Sequence, residues 1–577
     1  MSGLTSWIVG IRGWWAQRPF ERAARDPARA QAVLLKRILK QNTQSIFGKE
    51  HGFSRIQSHT EYTDAVPIRG YDAMEPFIDK LKDGVQSVLT EKEPFMFATT
   101  SGTTQSPKLI PVTRSWKELL SALMRIWLGA CLRSHPRIFQ HKILTVTSPA
   151  VEGYTSRNVP MGSVSGLTRM RAPWLIRRNY CIPYSVSELS NYDLRYFVTM
   201  RLAMATRVSI MVTPNPSTII RLAEIAQDQS QTLIDSIHNG QLGVDPSLRA
   251  SLEPDQRKIL DDIESTLVPD PARAGFLESV IREYGSLSPR FIWPELALIG
   301  CWLGGSAGIQ AAQMKSFFAP ELPIRDLGFR ATEGTITIPL EDGSASGAIA
   351  LHANYCEFIP EDEIDNDTPR TLLAHELETG GQYYILLTTT GGLYRYDIND
   401  VVEVTGWYKN APTIAFLRKG RDMVNITGEK LHLNQILAAA KAASDVTNMG
   451  WIQLQLIPDT ETSRYDLLLE PDDASISKPA LEAFVRSFDE KLMVYNIEYE
   501  QKRKSDRLHL PRLFHMKTGW SERRRRRDIE HGGKRDAQYK WPVIELVWDG
   551  PSRDEVAQEV VSESPTPPSS ATPFQEH

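Results

Sequence analysis

The segment that most constrains this chain is Phe95-Met-Phe-Ala-Thr-Thr-Ser-Gly-Thr-Thr-Gln-Ser-Pro-Lys-Leu-Ile-Pro-Val-Thr113. Two short apolar runs, 94–98 and 109–112, flank a loop made almost wholly of hydroxyl residues, Gly102 and Lys108. The runs read as strands and the loop as their connection. Ser101, Thr103 and Thr104, with Thr99 and Thr100, supply hydroxyl donors, and Gly102 lets the backbone turn and approach a ligand closely. Lys108 adds one positive charge, with no acid in the loop to repel an anion. Such a loop suits a polyphosphate, although Ser, Thr and Gly are equally the residues of an ordinary surface turn. A Walker loop is excluded, because no second glycine precedes Lys108 and Leu109 follows it.

At 577 residues the chain exceeds a single core, so two or more domains are expected. Its net charge of −4 argues against a whole-protein nucleic-acid or membrane footprint. Cys131, Cys181, Cys301 and Cys356 lie far apart with no metal-type spacing, which suits a reduced, cytoplasmic protein. Near the N-terminus, Ile8–Ile11 is followed at once by Arg12 and Trp14-Trp15, too short for a signal sequence. No segment approaches the ~18 apolar residues of a membrane span.

Residues 17–50 carry an apolar stripe of Val33, Leu34, Ile38 and Leu39 at helical spacing and read as a helical lead-in. After the opening loop, Ser115 and Glu118 fit a capping box, with Trp116, Leu120, Leu123, Trp127 and Cys131 as the core face of the helix. Residues 143–213 alternate β-prone runs, 143–146 and 208–212, with loops and helical pieces, a mixed α/β pattern. The glycine-bearing segment 159–166 reads as a polar surface loop, and 215–285 as helical. Leu296–Gly308 is an apolar strand, a glycine turn and the start of a helix over 309–318. Its Gly304-Gly305-Ser306-Ala-Gly308 matches the Gly-x-Ser-x-Gly elbow of serine hydrolases. His352, His375, His432, His509, His515 and His531 all follow it, so residue order does not exclude a triad.

Thr100-Ser-Gly-Thr-Thr-Gln-Ser-Pro-Lys108 resembles the Thr-Ser-Gly-Thr-Thr-Gly-x-Pro-Lys loop of the acyl-adenylate-forming superfamily, with Gln105 in place of glycine. Gly328-Phe-Arg-Ala-Thr-Glu-Gly334 resembles that superfamily's Tyr-Gly-x-Thr-Glu segment. Leu393–Val402 resembles its Tyr-Arg-x-Gly-Asp segment, with Asn399 in place of glycine, Asp397 as an extra acid and Asp400 as the final acid. Gly420-Arg-Asp-Met-Val-Asn-Ile-Thr-Gly-Glu-Lys430 resembles its interdomain hinge, and Arg421 follows Asp400 by 21 positions. A narrower likeness covers residues 94–545. Tyr355-Cys-Glu-Phe-Ile-Pro360, Glu376-Leu-Glu-Thr-Gly380, Leu387–Tyr396 and Gln538-Tyr-Lys-Trp-Pro542 look like signatures of the auxin-responsive acyl-acid amido synthetases, the Gretchen Hagen family.

That resemblance implies an α/β, two-domain adenylate-forming fold. It has a large N-terminal α/β domain, 1–418, with a helical lead-in over 1–60, mixed sheets and a β-barrel-like part. A small mobile α+β domain, 419–548, completes it; past residue 550 the chain turns to Ser562-Glu-Ser-Pro-Thr-Pro-Pro-Ser-Ser and lacks bulky apolar residues, so 549–577 reads as a disordered tail. The resemblance also implies ATP and Mg2+, a carboxylic acid and an amine such as an amino acid; charge and hydropathy add no nucleic-acid or membrane partner, and the oligomeric state stays open. Ser101, Gly102, Thr103, Thr104 and Lys108 would hold phosphates, and the Gly304-Gly305-Ser306 turn would meet the adenine. Thr332 and Tyr355 would contact the nucleotide and Glu333 the metal; Asp400 would take the ribose, and Arg421 ribose and phosphate. Lys540 is the expected mobile lysine at the α-phosphate, with Lys430 the second candidate. From 501 to 540 there are 14 Lys and Arg against 5 acids, which reads as a solvated face of the small domain. Three rivals stay open: a ligase that passes the acyl group to coenzyme A, a serine hydrolase through Ser306, and a degenerate nucleotide-binding protein.

Overall fold

The computed structural model describes residues 2–560 except 100–107, 306, 365, 367, 421, 422, 425, 428, 430, 505, 506, 531–538 and 540. The chain forms two compact units, one of Met1–Leu417 with Gly533–Lys540, the other of Arg418–Gly532 with Trp541–His577.

The first unit begins with the helices Ser2–Arg25 and Pro27–Gln41. Asp26 caps the second, accepting from the Arg29 N–H at 3.1 Å, and Pro27 fits its first turn. Leu34, Leu35, Ile38 and Leu39 are buried, whereas Val33 points outward and is 61% exposed. The expected stripe is therefore shifted by one position, because Leu35 rather than Val33 faces the core. Gln31 fastens this helix to the strand Tyr355–Pro360: its amide donates to the Leu351 and Asn354 carbonyls and accepts from the Cys356 N–H.

The opening segment forms a hairpin, Met96–Thr99 paired antiparallel with Leu109–Val112. Pro160–Gly162 adds parallel to Met96–Thr99, so part of the expected surface loop 159–166 is a strand. The helix Arg114–Ser134 follows, capped by Thr113 rather than Ser115; the Thr113 hydroxyl accepts from the Trp116 N–H. Four parallel strands, Lys142–Thr145, Val208–Val212, Leu298–Gly300 and Ile324–Arg325, make a sheet in that order. Helices over 216–292 connect its middle strands. Ala307–Met314, which then tightens into a 3-10 turn, is shorter than the helix expected to run to residue 318.

The part expected to be barrel-like is a seven-stranded sheet built on Tyr355–Pro360, Gln382–Thr388, Tyr396–Tyr408 and Ala411–Lys419. One core joins the lead-in helices, the hairpin and this sheet; another joins Ser2–Arg25, Arg114–Ser134 and the parallel sheet.

The second unit is α+β. Trp451–Asp459, Arg464–Pro471, Arg512–Met516 and Val556–Val560 form a four-stranded sheet, with helices Leu433–Thr447 and Lys478–Tyr495 among its connections. The expected tail thus begins too early: 550–560 is ordered, because Val556–Val560 pairs with Arg512–Met516 and Glu555 pairs with Arg523. The basic run is a solvated face only in part: Lys504, Lys517 and Arg523 are exposed. Arg524 and Arg525 are buried in the helix Trp520–Glu530, and Arg524 meets Gln455, Glu545 and Asp549 at 2.7, 2.9 and 3.0 Å.

Candidate functional site

Loops at the C-terminal end of the parallel sheet converge here, where ligands sit in open α/β folds. After Leu298–Gly300 the chain turns through Gly304 and Gly305, and Gly305 has φ +57. A Cβ at Gly308 would lie 2.6 Å from the Leu303 carbonyl, and one at Gly305 would lie 3.1 Å from the Phe416 ring. Glycine is therefore required at both places. Phe329 stands 5.5 Å from Phe416, ring to ring, beside this turn.

Asp326, which the sequence reading passed over, ties the glycine turn to the next loop. Its carboxylate accepts from the Leu303 N–H at 2.6 Å and the Gly328 N–H at 2.5 Å, and its carbonyl accepts from the Trp127 indole at 2.8 Å. Burial pushes its carboxyl up to about 6, against the pull of those two N–H bonds. Arg330 was also passed over. Burial lowers its guanidinium to about 10, Asp326 opposing; its Nη2 is 3.8 Å from Met124 Sδ, and its Nε has no partner among the described residues.

Thr332 and Glu333 sit in a tight turn closed by bonds between Ala331 and Gly334. Trp116 braces that turn, its indole donating to the Glu333 carbonyl at 3.1 Å. Thr113, one turn earlier, donates to the Thr390 carbonyl, so the hairpin, the Glu333 turn and the 389–392 turn are held together. Lys108 Nζ lies 5.4 Å from the Tyr71 ring, whose hydroxyl accepts from the Leu109 N–H at 2.9 Å. Tyr396 is held well above the usual phenol range by burial first and then by the charge of Glu333 and the nearness of Tyr71. Lys108 thus lies against Tyr71, and the charge of Glu333 is felt at Tyr396.

Asp400 lies in strand Tyr396–Tyr408 just past a bulge, where residues 397–401 oppose only 384–386. Asn399 makes the bulge. Its φ is +56, and its N–H donates to the Asp397 carboxylate at 2.6 Å. A glycine would take this backbone freely, and asparagine is the side chain that best tolerates it. The substitution thus keeps the geometry while bending the strand, as bulges do beside active sites.

Tyr355 departs from expectation. It is 1% exposed, and its hydroxyl meets His59 Nδ1 at 2.7 Å, so its ring has no open face for a nucleotide. Beside it a buried ion pair organises the sheet. Arg395, at φ +44, donates to Glu357 at 3.0 and 3.2 Å and to the Thr63 and Val66 carbonyls. Ser101, Gly102, Thr103, Thr104, Ser306, Arg421, Lys430 and Lys540 lie outside the described residues. Two of their neighbours are described. Tyr539, before Lys540, has its carbonyl on the Asn215 amide at 2.6 Å in the first unit. Glu429, before Lys430, is fully buried and accepts from the Ile426 and Thr427 N–H groups, both at 2.8 Å, and from the Tyr465 hydroxyl. Among the described residues, no cluster of three or more His, Cys, Asp or Glu is placed to hold a metal, and no helix is long and apolar enough to cross a membrane.

Family models match along most of the chain: the GH3 family N-terminal domain over 16–324, the central domain over 347–419 and the C-terminal domain over 433–545. The chain belongs to the GH3 family. It is 24% identical over 526 residues to the indole-3-acetic acid-amido synthetase GH3.3 of Arabidopsis thaliana, covering 85% of each chain. It is 22% identical to the jasmonoyl-L-amino acid synthetase JAR4 of Nicotiana attenuata, over 74% of this chain and 75% of that one. Its fold is that of the GH3.15 acyl acid amido synthetase, with a TM-score of 0.81 at 17% identity, over 94% of this chain and 96% of that one. Family membership, with the glycine turn packed on Phe416, sets aside the hydrolase reading of Gly304–Gly308.

Proposed function

We propose that this GH3 protein is an ATP-dependent acyl-acid amido synthetase. It joins a carboxylic acid to an amine, most simply an amino acid, through an acyl adenylate. The observation that carries the reading is the bracing of the Glu333 turn and the hairpin after Lys108 by Thr113 and Trp116, with Asp326 tying the glycine turn, closed to side chains at Gly305 and Gly308, to the loop that leads to Glu333.

A carboxylate would have to expel oxide to acylate an amine. Its oxygen instead attacks the α-phosphorus of ATP, the bond to the β-phosphate oxygen breaks, and pyrophosphate leaves. The amine then attacks the acyl carbon, AMP departs, and the amine's proton passes to water or to the phosphate. Positioning and charge neutralisation carry the first step. In this reading Ser101, Gly102, Thr103, Thr104 and Lys108 take the departing phosphates. The Gly304-Gly305-Ser306 turn, with Phe329 and Phe416, forms the adenine slot. Thr332 contacts the nucleotide, Asp400 takes the ribose hydroxyls, and Arg421 bridges ribose and phosphate. Glu333 would hold magnesium, whose charge spreads over the phosphates; one carboxylate with substrate oxygens suffices for that ion. Lys540 reaches the α-phosphate, supported by the seating of Tyr539 on the rim that carries Asn215; Lys430 is the alternative. The acid's carboxylate would meet Arg330, a half-buried cation whose bonded contact among the described residues is Met124 Sδ rather than a carboxylate. The compartment is cytoplasmic, in keeping with four free cysteines.

The test is pyrophosphate release from Mg-ATP across a panel of carboxylic acids, with and without pooled amino acids. Acid-dependent release, with AMP and an amide as products, is expected. Lys108→Ala should lower it on the order of 30-fold or more, the cost of one phosphate contact in the transition state. Thioester formation with coenzyme A and no amide would overturn the reading, as would ATP binding without release for any acid.

A further inference from the structure

The helix Ser2–Arg25 buries one face and shows solvent an opposite face that is equally apolar. Inward, Val9, Gly13, Phe20, Ala23 and Ala24 are buried. Gly13 crosses Gly129 so tightly that a Cβ on Gly13 would lie 3.0 Å from both the Gly129 Cα and the Arg125 carbonyl. This crossing fixes the helix's rotation, and 3.6-residue periodicity then decides what faces out. Leu4, Trp7, Ile11, Trp14 and Trp15 face out, 55, 63, 39, 52 and 58% exposed. They form one stripe roughly 100° wide, opposite the buried one. Scattered exposed apolar residues need no explanation, but a contiguous stripe with three tryptophans marks an interaction surface.

Charge selects the occupant. The helix carries Arg12, Arg18, Arg22 and Arg25 against one acid, Glu21, which is held by Tyr408 and Lys409. The Arg18 guanidinium sits 3.7 Å from the Trp14 ring centre and 4.3 Å from that of Trp15. A second copy of this face would bring its own arginines and no free acid to meet them. Tryptophan prefers the boundary between hydrocarbon and headgroups, and arginine prefers anionic headgroups. We propose that this face lies on an anionic lipid surface, with the helix in the membrane plane and the protein peripheral to it. The whole-chain charge of −4, which argues against a membrane footprint, averages away a basic patch on one helix.

Co-sedimentation of the full-length protein with phosphatidylcholine vesicles, with or without phosphatidylserine, tests this independently of catalysis. Binding should be on the order of tenfold or more stronger to the anionic vesicles and should weaken with salt. A combined Trp7→Ser, Trp14→Ser and Trp15→Ser variant should lose it while keeping the wild-type urea midpoint, since all three side chains are exposed. Arg12→Gln with Arg18→Gln and Arg22→Gln should bring anionic binding down to the neutral level. Equal binding to both vesicles, or none to either, overturns the proposal. So does a wild-type dimer that the tryptophan variant converts to monomer without any vesicle binding, which would make the face a contact between copies.

Discussion

Asn399 and Asp326 show what single residues contribute to the site. Asn399 holds φ +56, a region that costs a β-branched side chain about 1–3 kcal/mol. Asn399→Gly should therefore keep acid-dependent pyrophosphate release within a few-fold, whereas Asn399→Val should lower it about tenfold or more by displacing Asp400. Activity retained in the valine variant would sink this account of the bulge. Asp326 makes a pH prediction. Its folded value of about 6 lies above the ordinary aspartate value, so the folded state holds the proton more tightly than the unfolded chain. Its contribution to stability is greatest below pH 4, declines as pH rises from about 4 to 6, and is level above. Relative to Asp326→Asn, wild-type unfolding free energy should fall by about 3 kcal/mol across that window, at roughly 1.4 kcal/mol per unit. Urea titrations at several pH values would show it, and a flat difference would refute it.

Among the elements, the Tyr355–Pro360 and Tyr396–Tyr408 strands depend on the Arg395–Glu357 pair, buried where water cannot replace either partner. Glu357→Ala should cost about 3–5 kcal/mol, since it strands a buried guanidinium. Arg395→Met combined with Glu357→Leu should recover much of that loss, and a urea midpoint for the single variant equal to wild type would contradict the assignment. Local patterns made several elements legible in the sequence. The hairpin was plain from two apolar runs around a polar loop, and the strand, glycine turn and helix at 298–314 from apolar and glycine spacing. What stayed hidden depended on distant partners. Nothing local to Asp326 announces that it bridges two loops, and nothing local to Tyr355 shows that His59 covers it. The basic run misled for the same reason, since Glu545 and Asp549 lie well downstream of Arg524.

For the whole molecule, two units with separate cores should open separately. Glu429 lends the second unit a carboxylate whose value is lowered: burial alone would raise it, but the Tyr465 hydroxyl and the Ile426 and Thr427 N–H groups outweigh burial. Its stabilisation is present above the unfolded glutamate value near 4.3 and is lost as pH falls through the lower folded value. Glu429→Gln should cost about 1.5–3 kcal/mol at neutral pH, and hydrogen exchange should show faster opening over 433–530 with 355–408 unchanged. Glu357→Ala should do the reverse, and both regions responding to either variant would show one cooperative unit. The partners of the arginine helix also carry a consequence for biosynthesis. Glu545 lies 21 residues after Arg524, Glu555 lies 32 after Arg523, and the sheet's edge strand ends at Val560. A ribosome delivers the N-terminus first, so the arginines of Trp520–Glu530 emerge well before the carboxylates that neutralise them. The second unit can close only once the chain has been made through Val560, and a transcript truncated before codon 545 would yield a chain whose arginine helix lacks both carboxylates.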